Sequence, residues 1–194
     1  MLQQHPVKRS NQNDMSVSNN PFQRPSDRMP HHELASLERA PVWALLDNVR
    51  SVWNVGSIFR TADAAGLSGL YLAGMTATPP RPDMEKTALG ATETVPWDYW
   101  KNPVECVESM QQRGIRVVVI EQTADAIDLE HWRIPFPCCF VMGHEVNGVS
   151  EEVIQQADAC VEIPMFGAKH SLNVAVSFGV VAFAASRQWR EATP

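Results

Sequence analysis

Polar residues that could bind or activate a ligand gather in the loop after a strand-like segment that ends at Pro164. A run without a charge follows, extends to Ser186 and is long enough for a helix. Ligands of open α/β sheets bind at such loops, and the free N–H groups of a helix start suit an anionic or polar group. Four polar side chains stand beside the expected helix start: Lys169, His170, Ser171 and Asn173. Alternatively, this is an ordinary strand–turn–helix joint in which Ser171 caps the helix.

A second polar pair lies near the start of another expected helix. Asn54 and Arg60 are six residues apart, about 120° on a helical wheel, so they flank one polar arc. The simpler interpretation is a solvated helix face that begins with Asn54 as its cap.

A third motif, Gly143-His-Glu-Val-Asn-Gly148, lies where a strand-like segment turns into a helix. Its two glycines allow a ligand to approach the backbone closely. A carboxylate at Glu145 would also be favourable near a helix N-terminus without any ligand. Each motif is weak alone, but all three fit one site at the edge of a sheet.

The composition predicts a globular, cytoplasmic protein with one folded domain. The 194 residues are 44% hydrophobic and 20% charged, with a formal net charge of −6. No apolar run reaches the roughly 18 residues of a membrane span and no secretory signal is present, so we expect no membrane partner. We expect no metal either, because the cysteines lack C-x-x-C spacing and are typical of reduced, buried, inert thiols. They are Cys106, Cys138, Cys139 and Cys160.

Charge and polarity divide the chain. The first 32 residues are rich in Asn, Gln, Ser and Pro and carry more basic than acidic residues, whereas the remainder is acidic. We therefore predict a disordered tail at residues 1–38 and a folded domain at residues 39–194. The acidic domain argues against broad electrostatic capture of nucleic acid, but it allows a local basic patch. Candidates for such a patch are Arg50, Arg60, Arg81, Lys86 and Lys169.

Apolar strand-like segments alternate with helix-like segments from about residue 41. The expected strands are 42–46, 70–73, 117–121, 139–142 and 160–163. The expected helices are 54–65, which stops at Gly66, then 84–89, 103–113, 150–157 and 171–187. Continuous apolar strands separated by helices predict an α/β fold, with a parallel sheet covered by helices on both faces.

The last expected helix is apolar nearly all round its wheel. Such a helix must be buried on more than one side, whereas the terminal helix of a small domain normally has an exposed face. A homodimer interface is the natural candidate for the second cover, and a neighbouring helix is the alternative. The residues concerned are Leu172, Val174, Val176, Phe178, Val180, Val181 and Phe183.

In this order, Asn-x5-Arg, Gly-x-Glu-x-x-Gly and Ile-Pro-Met…Ser-Leu-Asn-Val resemble the SpoU family of RNA 2′-O-ribose methyltransferases, in the SPOUT superfamily. The resemblance covers about residues 41–188, including the connecting segment 86–97. It implies a SPOUT-type fold with a C-terminal deep trefoil knot, S-adenosyl-L-methionine bound in the knot, and a homodimer with the active site near the subunit interface. The implied partner is a structured RNA, tRNA or rRNA. The cofactor-binding positions it implies are Ile120, Glu121, Gly143, Ile163, Met165 and Leu172.

The chemistry implied by the resemblance fits the residue types. Methyl transfer to a ribose 2′-hydroxyl needs the hydroxyl held in line and relieved of its proton. The resemblance makes Arg60 the principal catalytic residue, able to hydrogen-bond the developing alkoxide or a phosphate. Whether it also accepts the proton stays open, because a guanidinium is rarely deprotonated. The supporting catalytic network comprises Asn54, Glu145, Ser171 and Asn173.

Other classes of function fit less well. A serine hydrolase built on Ser171 with His170 or His144 lacks the G-x-S-x-G elbow, and a dinucleotide enzyme would need G-x-G-x-x-G after its first strand. A non-catalytic RNA-binding module of the same fold is the serious alternative. A SPOUT enzyme that methylates a base nitrogen is the alternative within the superfamily.

Overall fold

A seven-stranded, all-parallel sheet runs through residues 38–193, the part of the chain that the computed structural model describes. The strands are β1 (Ala40–Asp47), β2 (Leu67–Ala73), β3 (Trp97–Trp100), β4 (Arg116–Ile120), β5 (Ile127–Asp128), β6 (Cys138–Met142) and β7 (Ala159–Glu162). Their order across the sheet is β3-β2-β1-β6-β4-β7-β5. The predicted tail, residues 1–38, lies outside the described residues except for Glu38.

Six helices connect the strands within these residues. They are α1 (Val52–Ala65), α2 (Pro82–Ala88), α3 (Ala91–Thr94), α4 (Pro103–Gln112), α5 (Glu151–Gln156) and α6 (Val174–Ala192). One hydrophobic core lies between the sheet and α1, α2 and α6, and a second lies between the opposite face and α4 and α5. The predicted parallel sheet with helices on both faces is therefore confirmed.

The alternation of strand side chains assigns neighbours to different cores. Leu46 and Cys138 lie in the first core, whereas Leu45 and Cys139 lie in the second. Burial raises the pKa of Cys138 to about 12, so its thiolate is disfavoured. Cys106 is buried in the same way, but Cys160 is partly exposed, which departs from the prediction of four buried thiols.

The helix starts correct two predictions about capping. The side chain of Ser51, rather than Asn54, caps α1 by accepting a hydrogen bond from the Asn54 N–H at 3.3 Å. Asn173, rather than Ser171, caps α6 by accepting from the Ala175 N–H at 2.9 Å. Ser171 and Asn54 are therefore not the helix caps that the simpler interpretations made them.

Two short strands were not predicted. β3 has the sequence Trp97-Asp-Tyr-Trp100 and lies mostly exposed at one edge of the sheet, where it pairs only with β2. β5 has two residues and forms the other edge beside β7. Such segments carry no run of buried apolar residues, so they cannot be recognised as strands from the sequence and form only by pairing with the neighbouring strand.

The last helix is covered on one side only within the described chain. Val174, Phe178, Val181 and Ala185 pack on the first core. The opposite side carries an apolar stripe, and each of its side chains has roughly half of its surface exposed. The stripe consists of Leu172, just before the helix, and of Val176, Val180 and Phe183. The sequence leads us to expect that this helix is buried on more than one side, but the chain's own sheet buries only one side of it.

Candidate active site

The motif between β6 and α5 folds into a tight hairpin, here named the hairpin loop (residues 143–150). His144 and Gly148 exchange two backbone hydrogen bonds of 2.9 Å. The Nδ1 atom of His144 accepts further bonds from the N–H groups of Val146 and Asn147 at 3.0 and 3.2 Å. Gly148 takes a left-handed φ of 70°, which glycine adopts without strain. The loop is thus held by its own bonds.

Gly143 lets the two ends of the hairpin loop touch. A Cβ atom added there would lie 2.2 Å from both the Gly148 carbonyl carbon and the Val149 nitrogen. Both of these are backbone atoms and cannot swing aside. The requirement for glycine at position 143 therefore comes from close backbone packing.

Glu145 projects from the hairpin loop onto the start of α1. Its carboxylate accepts hydrogen bonds from the N–H groups of Arg50 (3.1 Å) and Ser51 (2.9 Å) and from the side-chain amide of Asn54 (2.9 Å). Partial burial acts to raise the pKa of Glu145, but these hydrogen bonds outweigh it and lower the pKa below its ordinary value. The side chain is therefore a carboxylate near neutral pH.

The side-chain amide of Asn54 also joins the motif that precedes α6 to the other two motifs. Asn54 Oδ1 accepts a hydrogen bond of 3.1 Å from the side-chain nitrogen of Asn173, which also caps α6. Glu145, Asn54 and Asn173 form one continuous polar network, and its members come from three different strand-to-helix joints. The structure thus brings together three of the five residues that we predicted to be catalytic or supporting.

Asp47 is a site residue that the sequence analysis missed. It is 1% exposed at the end of β1 and accepts hydrogen bonds from the N–H and the hydroxyl of Ser150 at 2.9 and 2.7 Å. Asn48 donates to its other oxygen at 2.7 Å. Asp47 therefore anchors the hairpin loop to the sheet. A carboxylate directly after the apolar run of residues 42–46 was the available signal.

A cleft opens between the hairpin loop and the loop that precedes α6, here named the open loop (residues 164–172). All six predicted cofactor-binding residues line it: Ile120, Glu121, Gly143, Ile163, Met165 and Leu172. Glu145 and Ser171 also border the cleft. The sequence-derived positions therefore converge on one cavity at the carboxyl ends of β4, β6 and β7, where open parallel sheets bind ligands.

The lining of the cleft combines apolar and acidic groups. Ile163, Met165 and Leu172 supply apolar surface, while Glu121 and Glu162 supply carboxylates beside Glu145. Within residues 38–193, neither lysine nor arginine lines this cleft. Such a lining suits a ligand with a flat apolar portion and a positive charge.

The open loop contrasts with the hairpin loop. Among the described residues, none of positions 164–172 makes a hydrogen bond. Ser171 and Leu172 are exposed, and Phe166 is 90% exposed. This side of the cleft is therefore held mainly by its two ends, Ile163 and Asn173.

Arg60 lies apart from the polar network. It is exposed on α1 and does not border the cleft, and its guanidinium makes neither a hydrogen bond nor an ion pair with any residue between 38 and 193. Its neighbour Thr61 has its methyl group 4.0 Å from the position that a Cβ on Gly179 would occupy. This part of α1 therefore packs beside the middle of α6, and Arg60 is the residue that precedes the contacting Thr61.

Neither a metal-binding cluster nor a membrane-spanning helix is found in the described part of the chain. No group of three His, Cys, Asp or Glu side chains between residues 38 and 193 is arranged to hold a metal ion. None of the helices described is long and apolar enough to cross a membrane.

The fold matches solved SpoU-type α/β proteins. The SpoU methyltransferase AviRb from Streptomyces viridochromogenes, in complex with AdoMet, gives a TM-score of 0.71 and 29% identity, covering 78% of this chain and 59% of that one. The A. aeolicus TrmH/SpoU tRNA modifying enzyme gives 0.72 and 30%, covering 80% of this chain and 78% of that one.

The family follows from the sequence match. Residues 41–183 match the SpoU rRNA Methylase family, and the chain belongs to that family. A relative, the 23S rRNA (guanosine-2′-O-)-methyltransferase RlmB of Neisseria meningitidis serogroup B, is 33% identical over 160 residues. The match covers 80% of this chain and 62% of that protein, so the chain spans less than two thirds of the relative's length.

Proposed function

We propose that this chain is an S-adenosylmethionine-dependent methyltransferase that acts on a ribose 2′-hydroxyl of rRNA, in the cytoplasm. The observation that carries the proposal is the cleft lined by all six expected cofactor residues, which opens directly beside the network of Glu145, Asn54 and Asn173. Family membership supports the reaction, and the RlmB relative supports rRNA as the substrate class. A tRNA is the alternative, because a structural neighbour is named as a tRNA modifying enzyme.

The residues of the cleft fit S-adenosylmethionine. Bound there, this cofactor supplies an electrophilic methyl group on a positively charged sulfur. The carboxylates of Glu121 and Glu162 favour a cationic ligand, and the apolar side chains of Ile163, Met165 and Leu172 suit an adenine ring. Gly143 also lines the cleft and has no side chain, so backbone groups of the hairpin loop are open to a ligand there.

The proposal includes the deep trefoil knot that the family resemblance implies. Its support is the order of the strands, because β4 lies between β6 and β7 although it precedes both in the chain. The close packing of Gly143 on the Gly148–Val149 peptide is also suited to a crowded crossing of the backbone. The cleft would then be formed by the loops of the knot.

Arg60 is the proposed catalytic residue. The 2′-hydroxyl oxygen would form its new bond to the methyl carbon while the carbon–sulfur bond of the donor breaks and the hydroxyl proton passes to solvent, so negative charge would grow on that oxygen. A guanidinium, which is rarely deprotonated, would stabilise this charge without accepting the proton. Glu145, Asn54 and Asn173 hold the start of α1 against the cleft, and Ser171 lies free on its rim to contact the ribose.

A homodimer completes this proposal. The apolar stripe of Leu172, Val176, Val180 and Phe183 is the surface that a second copy would cover. Arg60 precedes Thr61, the residue of α1 that lies against Gly179 of α6, so pairing of two copies along α6 would bring the arginine of one copy towards the cleft of the other. Such an arrangement accounts for the absence of Arg60 from the cleft of its own chain.

Light scattering tests the assembly. We expect a particle of twice 21.6 kDa at micromolar concentration. Val180→Glu should give monomers because it places a charge in the stripe, whereas Gln155→Glu on the exposed face of α5 should not. A wild-type monomer would contradict the dimer.

Calorimetry and methyl transfer test the activity. Wild-type protein should bind S-adenosylhomocysteine and should label ribose in rRNA taken from a strain that lacks the protein. Arg60→Ala should lower kcat by about 10²–10³-fold with little change in cofactor affinity, and Arg60→Lys should not rescue it fully. Arg133→Ala, which removes another exposed arginine, should be near wild type.

Three outcomes would count against parts of the proposal. Protein that binds the RNA but transfers no methyl group is a binding module, and label on a base nitrogen indicates a base methyltransferase. A fully active Arg60→Ala variant would keep the enzyme but remove the role of this residue.

A further inference from the structure

An exposed aromatic surface lies outside the cleft, along β3 and beside the carboxyl end of β2. Trp97 is 37% exposed, Tyr99 is 45% exposed and Met75 is 65% exposed, and together with Arg81 they line one shallow groove. We name these four residues the aromatic patch. None of the polar motifs in the sequence includes it, and it has no part in the reaction described above.

The edge strand β3 builds the patch. Trp97 and Tyr99 are two residues apart, so their rings project from the same face of the strand. They pair in register with Leu70 and Leu72, whose side chains are buried in the first core. The Tyr99 hydroxyl donates a hydrogen bond of 2.9 Å to the Gly74 carbonyl oxygen. The tyrosine ring is therefore fixed in place while much of its surface stays open to solvent.

The patch and the cleft flank the same stretch of backbone, residues 48–51. On one side, Asn48 Oδ1 accepts a hydrogen bond of 2.9 Å from the Met75 N–H, and Val49 donates one of 3.0 Å to Thr76. On the other side, the next two residues donate to Glu145. A ligand that reaches across this stretch would touch both the polar network and the aromatic patch.

Charge favours a nucleic acid over other ligands of this surface. Arg81 is exposed at the start of α2, and its guanidinium makes neither a hydrogen bond nor an ion pair with any residue in 38–193. Exposed Arg50 lies in the stretch between the patch and the cleft. A guanidinium beside aromatic rings can pair with a phosphate or stack on a base.

From these observations we propose that the aromatic patch holds an unpaired base of the RNA substrate, a few nucleotides from the ribose in the cleft, by stacking on Trp97 and Tyr99. This inference rests on the proposed function. Exposed aromatic rings are the usual means of binding splayed bases in single-stranded RNA, because every base presents a π face. The site therefore selects an unpaired segment beside the target nucleotide and not a continuous duplex.

The test uses a single-stranded hexaribonucleotide that carries 2-aminopurine, whose fluorescence is quenched by stacking, and the full chain saturated with S-adenosylhomocysteine. Wild-type protein should quench the probe and bind it more tightly than an RNA duplex of equal charge. Trp97→Ala should weaken binding of the single strand about 5- to 100-fold and abolish the quenching, with little effect on the duplex. Trp97→Phe should retain both properties. Asp98→Asn, on the opposite face of β3, should not weaken binding.

Several results would overturn the inference. One is that Trp97→Ala and Tyr99→Ala both leave the affinity for the probe and its quenching unchanged. Another is that Trp97→Ala weakens binding of the single strand and of the duplex equally. A third is that Trp97→Ala abolishes the dimer, which would make the patch a protein interface. Binding of S-adenosylhomocysteine and methyl transfer to rRNA are measured on the same proteins. Transfer that is unaffected by Trp97→Ala at limiting RNA would refute the patch alone, whereas quenching without any transfer by wild type would refute the methyltransferase alone.

Discussion

The two loops that border the cleft are built in opposite ways. The hairpin loop is bonded to itself, to the start of α1 through Glu145 and to the sheet through Asp47. The open loop makes no hydrogen bond among the described residues between Ile163 and Asn173. One wall of the cleft is therefore held in place by hydrogen bonds within the chain, whereas the other wall lacks such bonds.

The same substitution made in each loop gives the largest expected contrast. Gly143→Ala should destabilise the protein by about 1–3 kcal/mol, because its Cβ would overlap the backbone of Gly148 and Val149. Gly167→Ala in the open loop should change stability by less than about 0.5 kcal/mol, since a Cβ there meets nothing within 4 Å. Urea denaturation measures both. Equal effects would show that the hairpin loop is not closely packed.

Removing a polar side-chain group from each wall should give a smaller contrast. Glu145→Gln should cost about 1 kcal/mol at pH 7, since the side chain is exposed and loses a charge-assisted acceptor of three N–H donors. Ser171→Ala should cost almost nothing, because Ser171 has no hydrogen bond within residues 38–193.

The cost of Glu145→Gln should depend on pH. The folded pKa of Glu145 lies below its ordinary value of 4.5, so its contribution is present above that pH and is lost as the pH falls through the folded pKa. Wild type and Glu145→Gln should therefore converge in stability in acid. Urea denaturation at pH 7 and below pH 4.5 checks this. A difference that persists unchanged in acid would contradict the role given to the carboxylate.

The smallest expected effect is local. Hydrogen exchange should be fast at the amides of residues 165–172 in the free protein and slow at His144 and Gly148, which are bonded to each other. S-adenosylhomocysteine should slow exchange in the open loop and leave the hairpin loop nearly unchanged. Equal protection of both loops on binding would remove the distinction between them.

The parts of the fold that sequence predicts are those with strong local signals. The buried strands and the end of α1 at Gly66 follow from apolar runs and a left-handed glycine, and both were found as expected. β3 and β5 were missed because short, exposed edge strands exist only through their neighbours. The start of α6 shifted from Ser171 to Val174 since either polar residue of the loop is a suitable cap.

Which residues lie at the site could be predicted better than which hydrogen bonds and packing contacts join them. The family resemblance supplied the six expected cofactor residues, which line the cleft. The polar motifs predicted that Asn54, Glu145 and Asn173 lie together, because polar residues at strand-to-helix joints meet at one edge of a parallel sheet. Asp47 was missed because its partner Ser150 is 103 residues away in sequence. The separation of Arg60 from the network also depends on packing of α1 against α6, which spacing on one helix does not contain.

The polar network also bears on how the protein folds. Its two hydrogen bonds join residues that are 91 and 119 positions apart, so they close some of the longest loops in the chain. Contacts of this length form late, because the entropy of loop closure must be overcome first. A partly folded chain with β1, α1 and β2 in place still lacks Asn173 and one wall of the cleft. If the cleft holds the cofactor as we propose, its affinity for that cofactor is complete only once these long-range contacts have formed, and cofactor binding can then report in real time on completion of the native state.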